Sequence, residues 1–384
     1  MLTVIDSLPV QRRQWLTFMA SWVAVSAPRA WAGSAADKPY LAAAWESARG
    51  YQVGVLAHRG QSIQVSAALV VPTRAHGLWL ERAGTLLAVA RRPGDWLLRW
   101  RPDGKALAWL WIEPDRAFNG HVIASADGAT LYTTETNLET GQGLIGVRDA
   151  ASLNKIGEWP THGMDPHELL LDADGSLLVA NGGIPVLPET GRLKVHLDRM
   201  DASLVRLDTH FGELRGQWHL PDRRLSLRHM AWGAASTVNA TGQRLLGIAL
   251  QAEHDDAAAK AAAPVLAIFD GNRLQTQAAG PGQSLAGYGG DIACAFGGFA
   301  VSCPRANGVA VWRADGQWTG FLALEEACAL TTFPAPKAGP DSRLMMGGRA
   351  ATLMCGSDRS TVSSSLQDLR LDNHWVPLAR MKYA

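Results

Sequence analysis

Apolar and polar residues alternate along this chain in short runs separated by glycine-containing turns, and one layout recurs four times. The copies read His76-Gly77-Leu78-Trp79 with Ala83-Gly84 and Leu86-Leu87-Ala88-Val89; His121-Val122-Ile123 with Asp127-Gly128 and Leu131-Tyr132-Thr133-Thr134; His167-Glu168-Leu169-Leu170 with Asp174-Gly175 and Leu177-Leu178-Val179-Ala180; and His229-Met230-Ala231-Trp232 with Thr241-Gly242 and Leu245-Leu246-Gly247-Ile248. Alternation of this kind marks half-buried strands, and Asp-Gly supplies the positive φ angles of a two-residue hairpin turn. Each copy is therefore a meander that opens on a His-bearing strand.

The four histidines are spaced by 45, 46 and 62 residues. A period near 45 is the length of a propeller blade, and the longer third interval accommodates a loop insertion between Pro185 and Met200. Further hairpin signals stand at Asp103-Gly104, Asp270-Gly271, Gly297-Gly298 and Asp315-Gly316, whereas helical character is confined to the alanine-rich stretch from Asp255 to Ala263. The pattern predicts an all-β fold, a seven-bladed β-propeller, since roughly 350 residues at about 45–50 per blade fill seven blades. Ring closure predicts that the strand near Tyr51 to Leu56 pairs with the C-terminal segment, so that one blade is built from both ends.

The N-terminus reads as an address. Arg12-Arg13 precedes an uncharged run from Trp15 to Ala27, and Ala30-Trp31-Ala32 follows as a small-residue cleavage site. The run is shorter than the roughly 20 residues that span a bilayer, and the arginine pair followed by Gln14, Trp15 and Leu16 resembles a twin-arginine signal. This divides the chain into a signal peptide at 1–32, a linker at 33–50 and the propeller at 51–384, and predicts a periplasmic mature protein without a transmembrane segment.

Composition narrows the partners. Lys plus Arg is 36 against 35 for Asp plus Glu, which gives no basic surplus for nucleic acid, and the 15 tryptophans suit packing between blades. Cys294, Cys303, Cys328 and Cys355 form no Cys-x-x-Cys pair; they are buried thiols or, in an oxidising compartment, include a Cys328–Cys355 bridge. A symmetric turn within Phe296-Gly297-Gly298-Phe299 sets Cys294 opposite Val301.

Because the first strand of a propeller blade lines the central channel, His76, His121, His167 and His229 are expected around one axis. Neutral imidazoles so gathered can hold iron, copper or zinc, with Glu168 and Asp291 as oxygen donors and further carboxylates or carbonyls fixing each tautomer. They can equally hydrogen-bond backbone and Ser/Thr groups between blades, or line a site for an organic ligand. Arg228 and Arg305 are candidates for carboxylate capture, because guanidinium grips planar oxyanions bidentately; their structural alternative is an inter-blade salt bridge. Arg91-Arg92-Pro93-Gly94 reads first as a turn, and Asn181-Gly182-Gly183 as a tight bend or a backbone approach to a channel ligand. His162 and His167, five apart, are a weaker candidate pair for one cation. No nucleophile elbow, zincin helix or phosphate loop is present, which favours a binding role over an enzymatic one.

Several runs carry a family likeness: Arg74-Ala75-His76-Gly77, Val89-Ala90-Arg91-Arg92-Pro93-Gly94, Gly120-His121 through Ser125-Ala126-Asp127-Gly128, Pro166-His167-Glu168-Leu169, Val179-Ala180-Asn181-Gly182-Gly183-Ile184 and Ser226-Leu227-Arg228-His229. They resemble a bacterial family of twin-arginine-exported proteins that carries a domain of unknown function and belongs with propellers similar to the quinoprotein amine dehydrogenase heavy chain. The resemblance implies genes beside those of imelysin-like iron-regulated and dihaem-peroxidase-like proteins, hence partners of those kinds and a role in periplasmic iron acquisition or homeostasis. Pro185 and Val186 stand where relatives have Thr-His, and Glu326-Ala327-Cys328-Ala329-Leu330 loosens the family's cysteine motif, so a ligand role for that His does not transfer. Three functions are then open: a binding or scaffold propeller serving iron, a metal- or cofactor-dependent enzyme (lactonase-like hydrolase or oxidoreductase) using His121, His167 and His229, and a redox partner of the amine dehydrogenase type.

Overall fold

A computed structural model describes residues 41–378, apart from 60–61, 186–193, 195, 240–241, 335–341, 357–360 and 367–368. The export signal expected at 1–32 lies outside the described residues. Five four-stranded antiparallel meanders follow one another as blades 2 to 6, opening on Ala75–Leu80, Arg116–Ala124, Pro166–Leu171, Leu225–Trp232 and Ile292–Ala295. The remaining sheet joins two blades. Blade 7 runs from Ala329–Pro334 to Thr361–Leu366, and blade 1 combines Leu41–Ser47, Gly50–Arg59 and Ser62–Val70 with the C-terminal strands Arg370–Leu371 and Val376–Pro377. The outer edges of these two meet in parallel where Ser62 and Ile63 pair with Ser365 and Leu366.

The opening strand of each blade touches that of the next, from blade 2 through blade 7, and Val376–Pro377 bridges Ala329–Pro334 back to Ala75–Leu80. Seven inner strands thus form a closed ring. The ends of the chain do complete one blade, but the C-terminal strands pair with Leu41–Ser47 rather than with the strand containing Tyr51 to Leu56. The reason is that part of the expected linker at 33–50 is itself a strand: Leu41, Ala42, Ala43, Ala44 and Trp45 are all buried between the neighbouring blades.

Period-two alternation is what lets each blade serve two neighbours. In Leu86–Ala90, residues Leu86, Ala88 and Ala90 pack toward blade 1, while Leu87 and Val89 pack toward blade 3. Among the described residues there are seven apolar clusters of this kind, one per interface between adjacent blades. Full burial of one such Leu or Val contributes about 1.5–3 kcal/mol, so the ring is a set of small cores in series.

Two local details depart from expectation or sharpen it. The turn in blade 6 is centred on Phe296 and Gly297, both with positive φ, so Cys294 faces Phe299 and Ile292 faces Val301. All four cysteines are free thiols. The alanine-rich stretch forms a short helix, Ala257–Ala262, capped by the Asp256 side chain, which accepts from the Ala259 N–H at 2.7 Å. No helix among the described residues is long and apolar enough to cross a membrane.

Ending the chain after Leu369 removes the inner strands of blade 1 and the Asp372 carboxylate that receives the Arg74 guanidinium. The truncated protein should lose about 5 kcal/mol or more of stability, seen as an early, broadened thermal transition; unfolding at the full-length temperature would contradict closure through the C-terminus.

Candidate metal centre

Every inner strand from blade 2 to blade 5 carries a break in its register, and the histidine sits in the break. The shift falls between Ala75 and Leu78 around His76, between Phe118 and Val122 around His121, between Pro166 and Glu168 around His167, and between Leu227 and Met230 around His229. A bulge releases a residue from the ladder and re-aims its side chain, here into the channel. Blade 1 does the same by another route. His374, at φ 67°, lies in the gap between the strands Arg370–Leu371 and Val376–Pro377. The corresponding entry positions of blades 6 and 7 hold Asp291 and Cys328.

Close backbone approach makes this packing possible. A Cβ on Gly120, at φ 108°, would stand 2.7 Å from Cδ2 of His76, and one on Gly77 would stand 2.4 Å from the carbonyl oxygen of Gly120. Only glycine fits either place.

The rings converge. Nitrogen atoms of His76, His121, His167 and His229 all lie within 4.8 Å of one another, and His374 joins His229 and Asp291 in an overlapping group of the same span. Ring centroids of His374 lie 4.2 Å from His229, 4.8 Å from His76 and 4.9 Å from His121. Burial pushes all five imidazoles below their ordinary pKa, His229 to about 3, so at neutral pH they are uncharged.

Backbone groups of two of these histidines are also hydrogen-bonded between blades. Thr134 accepts from the His121 N–H at 3.3 Å and donates to the His167 carbonyl at 3.3 Å. Among the described residues, neither ring nitrogen of His76 has a partner, nor has Nε2 of His121 or of His374.

Carboxylates stand behind three of the rings. Glu168 is 3.8 Å from Nδ1 of His121 and 3.5 Å from Nδ1 of His229, and Asp291 is 3.6 Å from Nδ1 of His374. Backbone N–H groups hold both acids: Met230 donates to Glu168 at 2.5 Å, and Ile292 and Leu330 donate to Asp291 at 2.8 and 2.9 Å. Glu168 and Asp291 thus stand beside the Nδ1 atoms of three rings, and Asp291 also offers an oxygen within 4.8 Å of nitrogens of His229 and His374. Burial raises Glu168 to about 7 and Asp291 to about 6.

Arg228 completes the set from the other direction. Its Nη1 donates to Asp165 at 3.0 Å and reaches Nδ1 of His167 at 3.4 Å, which leaves His167 Nε2 facing His229 Nε2 across 3.0 Å. Asp165 also receives the guanidinium of Arg92.

Residues 69–378 match the family described as "Protein of unknown function (DUF1513)". The chain belongs to this family. No curated protein sequence matches it. Among solved structures, this DUF1513 protein is similar to a chain of the nidogen/laminin complex (12% identity, 74% of this chain and 93% of that one, TM-score 0.45) and to Sqt1 of Saccharomyces cerevisiae (9%, 86% and 97%, 0.45). It is also similar to a gluconolactonase of Xanthomonas campestris (18%, 87% and 98%, 0.44). At these scores the likenesses decide nothing about activity.

Of the residues singled out in the sequence, His76, His121, His167, His229, Glu168, Asp291 and Arg228 come together. Asn181 and Arg305 do not enter the cluster. Asn181 donates to the Thr161 carbonyl at 2.8 Å and to Ser203 at 3.2 Å, tying the start of blade 4 together. Arg305 is exposed and lies 4.3 Å over the Tyr288 ring, because its short 3-10 turn projects outward. His162 is exposed and separated from the cluster by its left-handed backbone turn. Cys328 donates to the Asn373 side chain at 2.7 Å, and burial pushes its thiol up to about 12, so it stays protonated. His374 is the residue that sequence reasoning missed. It follows His229 by 145 residues, about three blade lengths, but no hairpin signal flanks it.

The buried rings predict acid sensitivity. Because their pKa values lie below the ordinary 6.5, the unfolded chain takes up more protons as pH falls through that value, and stability falls with it. Glu168 and Asp291, raised by burial, oppose this by protonating first in the folded state. Five lowered imidazoles outnumber the two raised carboxylates, so acid destabilisation prevails. The metal-free melting temperature should drop steeply from about pH 6.5 to about pH 5, and less steeply in His76→Leu; equal slopes would mean that His76 is not buried uncharged.

Proposed function

We infer that this propeller is a periplasmic metal-binding protein, holding one first-row transition-metal ion through the imidazoles of His76, His121, His167, His229 and His374. The observation that carries this is the convergence of five uncharged rings in two overlapping groups in the channel, with unpartnered nitrogens on His76, His121, His229 and His374 among the described residues. Leaving a buried polar nitrogen unsatisfied costs about 1–3 kcal/mol, and a cation that accepts the lone pairs removes that cost.

The donor set fits such an ion. Imidazole nitrogens bind at about 2.0–2.1 Å, hence at most about 4.2 Å apart across the ion, so the observed spread closes with small ring rotations. Uncharged nitrogen donors suit divalent iron, copper and zinc better than hard cations, which prefer oxygen. The acids behind the rings are the second component. Glu168 steadies His121 and His229, and Asp291 steadies His374, so that bound charge is balanced within one residue of the ligands. Iron acquisition or homeostasis, with imelysin-like or dihaem-peroxidase-like partners, is the setting that the family resemblance supports.

Protein exported by its own pathway and purified without chelating resin should contain about one ion per chain by elemental mass spectrometry, and His121→Ala/His229→Ala should contain roughly none. Wild-type protein that is metal-free and gains none on dialysis against iron(II), copper(II) or zinc(II) would sink this reading. Glu168→Gln should weaken binding by about 10- to 100-fold while leaving the fold intact by circular dichroism, because it removes a ring-orienting charge and no ligand.

A further inference from the structure

A cavity of about 80 Å³ opens beside the imidazole cluster, and His76, His167 and His229 form part of its wall. The rest is unusual in sign. Arg91, Arg92, Lys194 and Arg228 all line it, together with Asn119, Gln251 and Asn373, and among the described residues no carboxylate does. Arg91 and Arg92 come from the turn after the second strand of blade 2, Arg228 from the bulge of blade 5 and Lys194 from the insertion in blade 4, so four cations from three blades converge on one space.

Arg228 supplies the decisive detail. It is 3% exposed, its Nη1 is engaged by Asp165, and among the described residues its Nε and Nη2 have no partner. Those two N–H groups form the side of a guanidinium that grips a carboxylate or phosphate through two parallel hydrogen bonds. Burying that edge without an acceptor is costly, and Arg228 is one of the residues lining the cavity. The volume has room for several waters at about 10–15 Å³ of probe space each, hence for a small anion.

We propose that this cavity is an oxyanion subsite, taking a small carboxylate or phosphate on Arg228, Arg91, Arg92 and Lys194 against the face of the imidazole cluster. A cation among the rings and an anion in the cavity attract each other across a poorly hydrated space, so each raises the affinity of the other by the same factor. The coupling rests on the metal reading; the pocket does not. The protein would thereby favour a metal ion that arrives with, or acquires, an oxyanion.

The test uses the full chain with malonate and inorganic phosphate as probes, titrated calorimetrically into metal-free protein. At least one should bind at a single site, with affinity about tenfold weaker in Lys194→Gln, a substitution that leaves Glu253 beside Lys260. Malonate alone binding identifies an organic acid as the class; phosphate alone identifies inorganic phosphate. Cobalt(II) is then titrated with and without the anion that binds. Tighter cobalt binding in its presence than in its absence, with a smaller gain in Lys194→Gln than in wild type, supports the coupled pair. No binding of either anion, or equal binding in the variant, overturns the subsite while leaving the metal centre standing; anion binding without any cobalt binding overturns the metal centre and keeps the subsite.

Discussion

The arrangement depends on one constraint: uncharged imidazoles can be packed against one another in a dry channel only if the backbone both aims them inward and stays hydrogen-bonded. The register breaks of the inner strands meet it. A regular strand would send successive side chains alternately into the two flanking blade interfaces, where a ring nitrogen would meet Leu or Val. A bulge takes His76, His121, His167 or His229 out of that alternation and turns it toward the axis, while the strand resumes its ladder on either side. His374 reaches the same space from the interruption in the last inner strand, so ring closure and site assembly are one event.

Charge is sorted around this cluster with some economy. The acids Glu168 and Asp291 contact the Nδ1 side of three rings and are held by backbone N–H donors. Guanidinium and ammonium groups gather instead on the neighbouring cavity, where no carboxylate lines the wall among the described residues. Asp165 is the link: it receives Arg92 and Arg228, and Arg228 reaches His167. The cationic cavity and the uncharged imidazole cluster thus share a wall, with Arg228 in contact with both.

The scaffold tolerates this polar centre because stability resides elsewhere. Seven apolar interfaces, each built from alternate residues of two blades, carry the packing, and Trp96, Trp100 and Trp312 are among the largest side chains fully buried in them. The channel itself contributes little apolar burial, so bulges and unpartnered rings there subtract from a ring that is already closed.

The all-β class, the blade length and the ring were legible in the chain because period-two alternation and Asp-Gly turns are local signals that tertiary packing seldom overrides. The histidines at intervals of 45, 46 and 62 residues were legible for the same reason: each opens its own repeat. The limits were equally physical. Leu41–Ser47 reads as linker because five small or apolar residues in succession show no alternation, and it is a strand because it is buried on both faces. The placement of Glu168 and Asp291 beside the Nδ1 atoms of three rings is set by distances that no spacing encodes. His374 carries no repeat of its own. Its place beside His229 follows from closing a circle, which brings residues 145 apart within 4.2 Å between ring centres, and only the tertiary structure performs that closure.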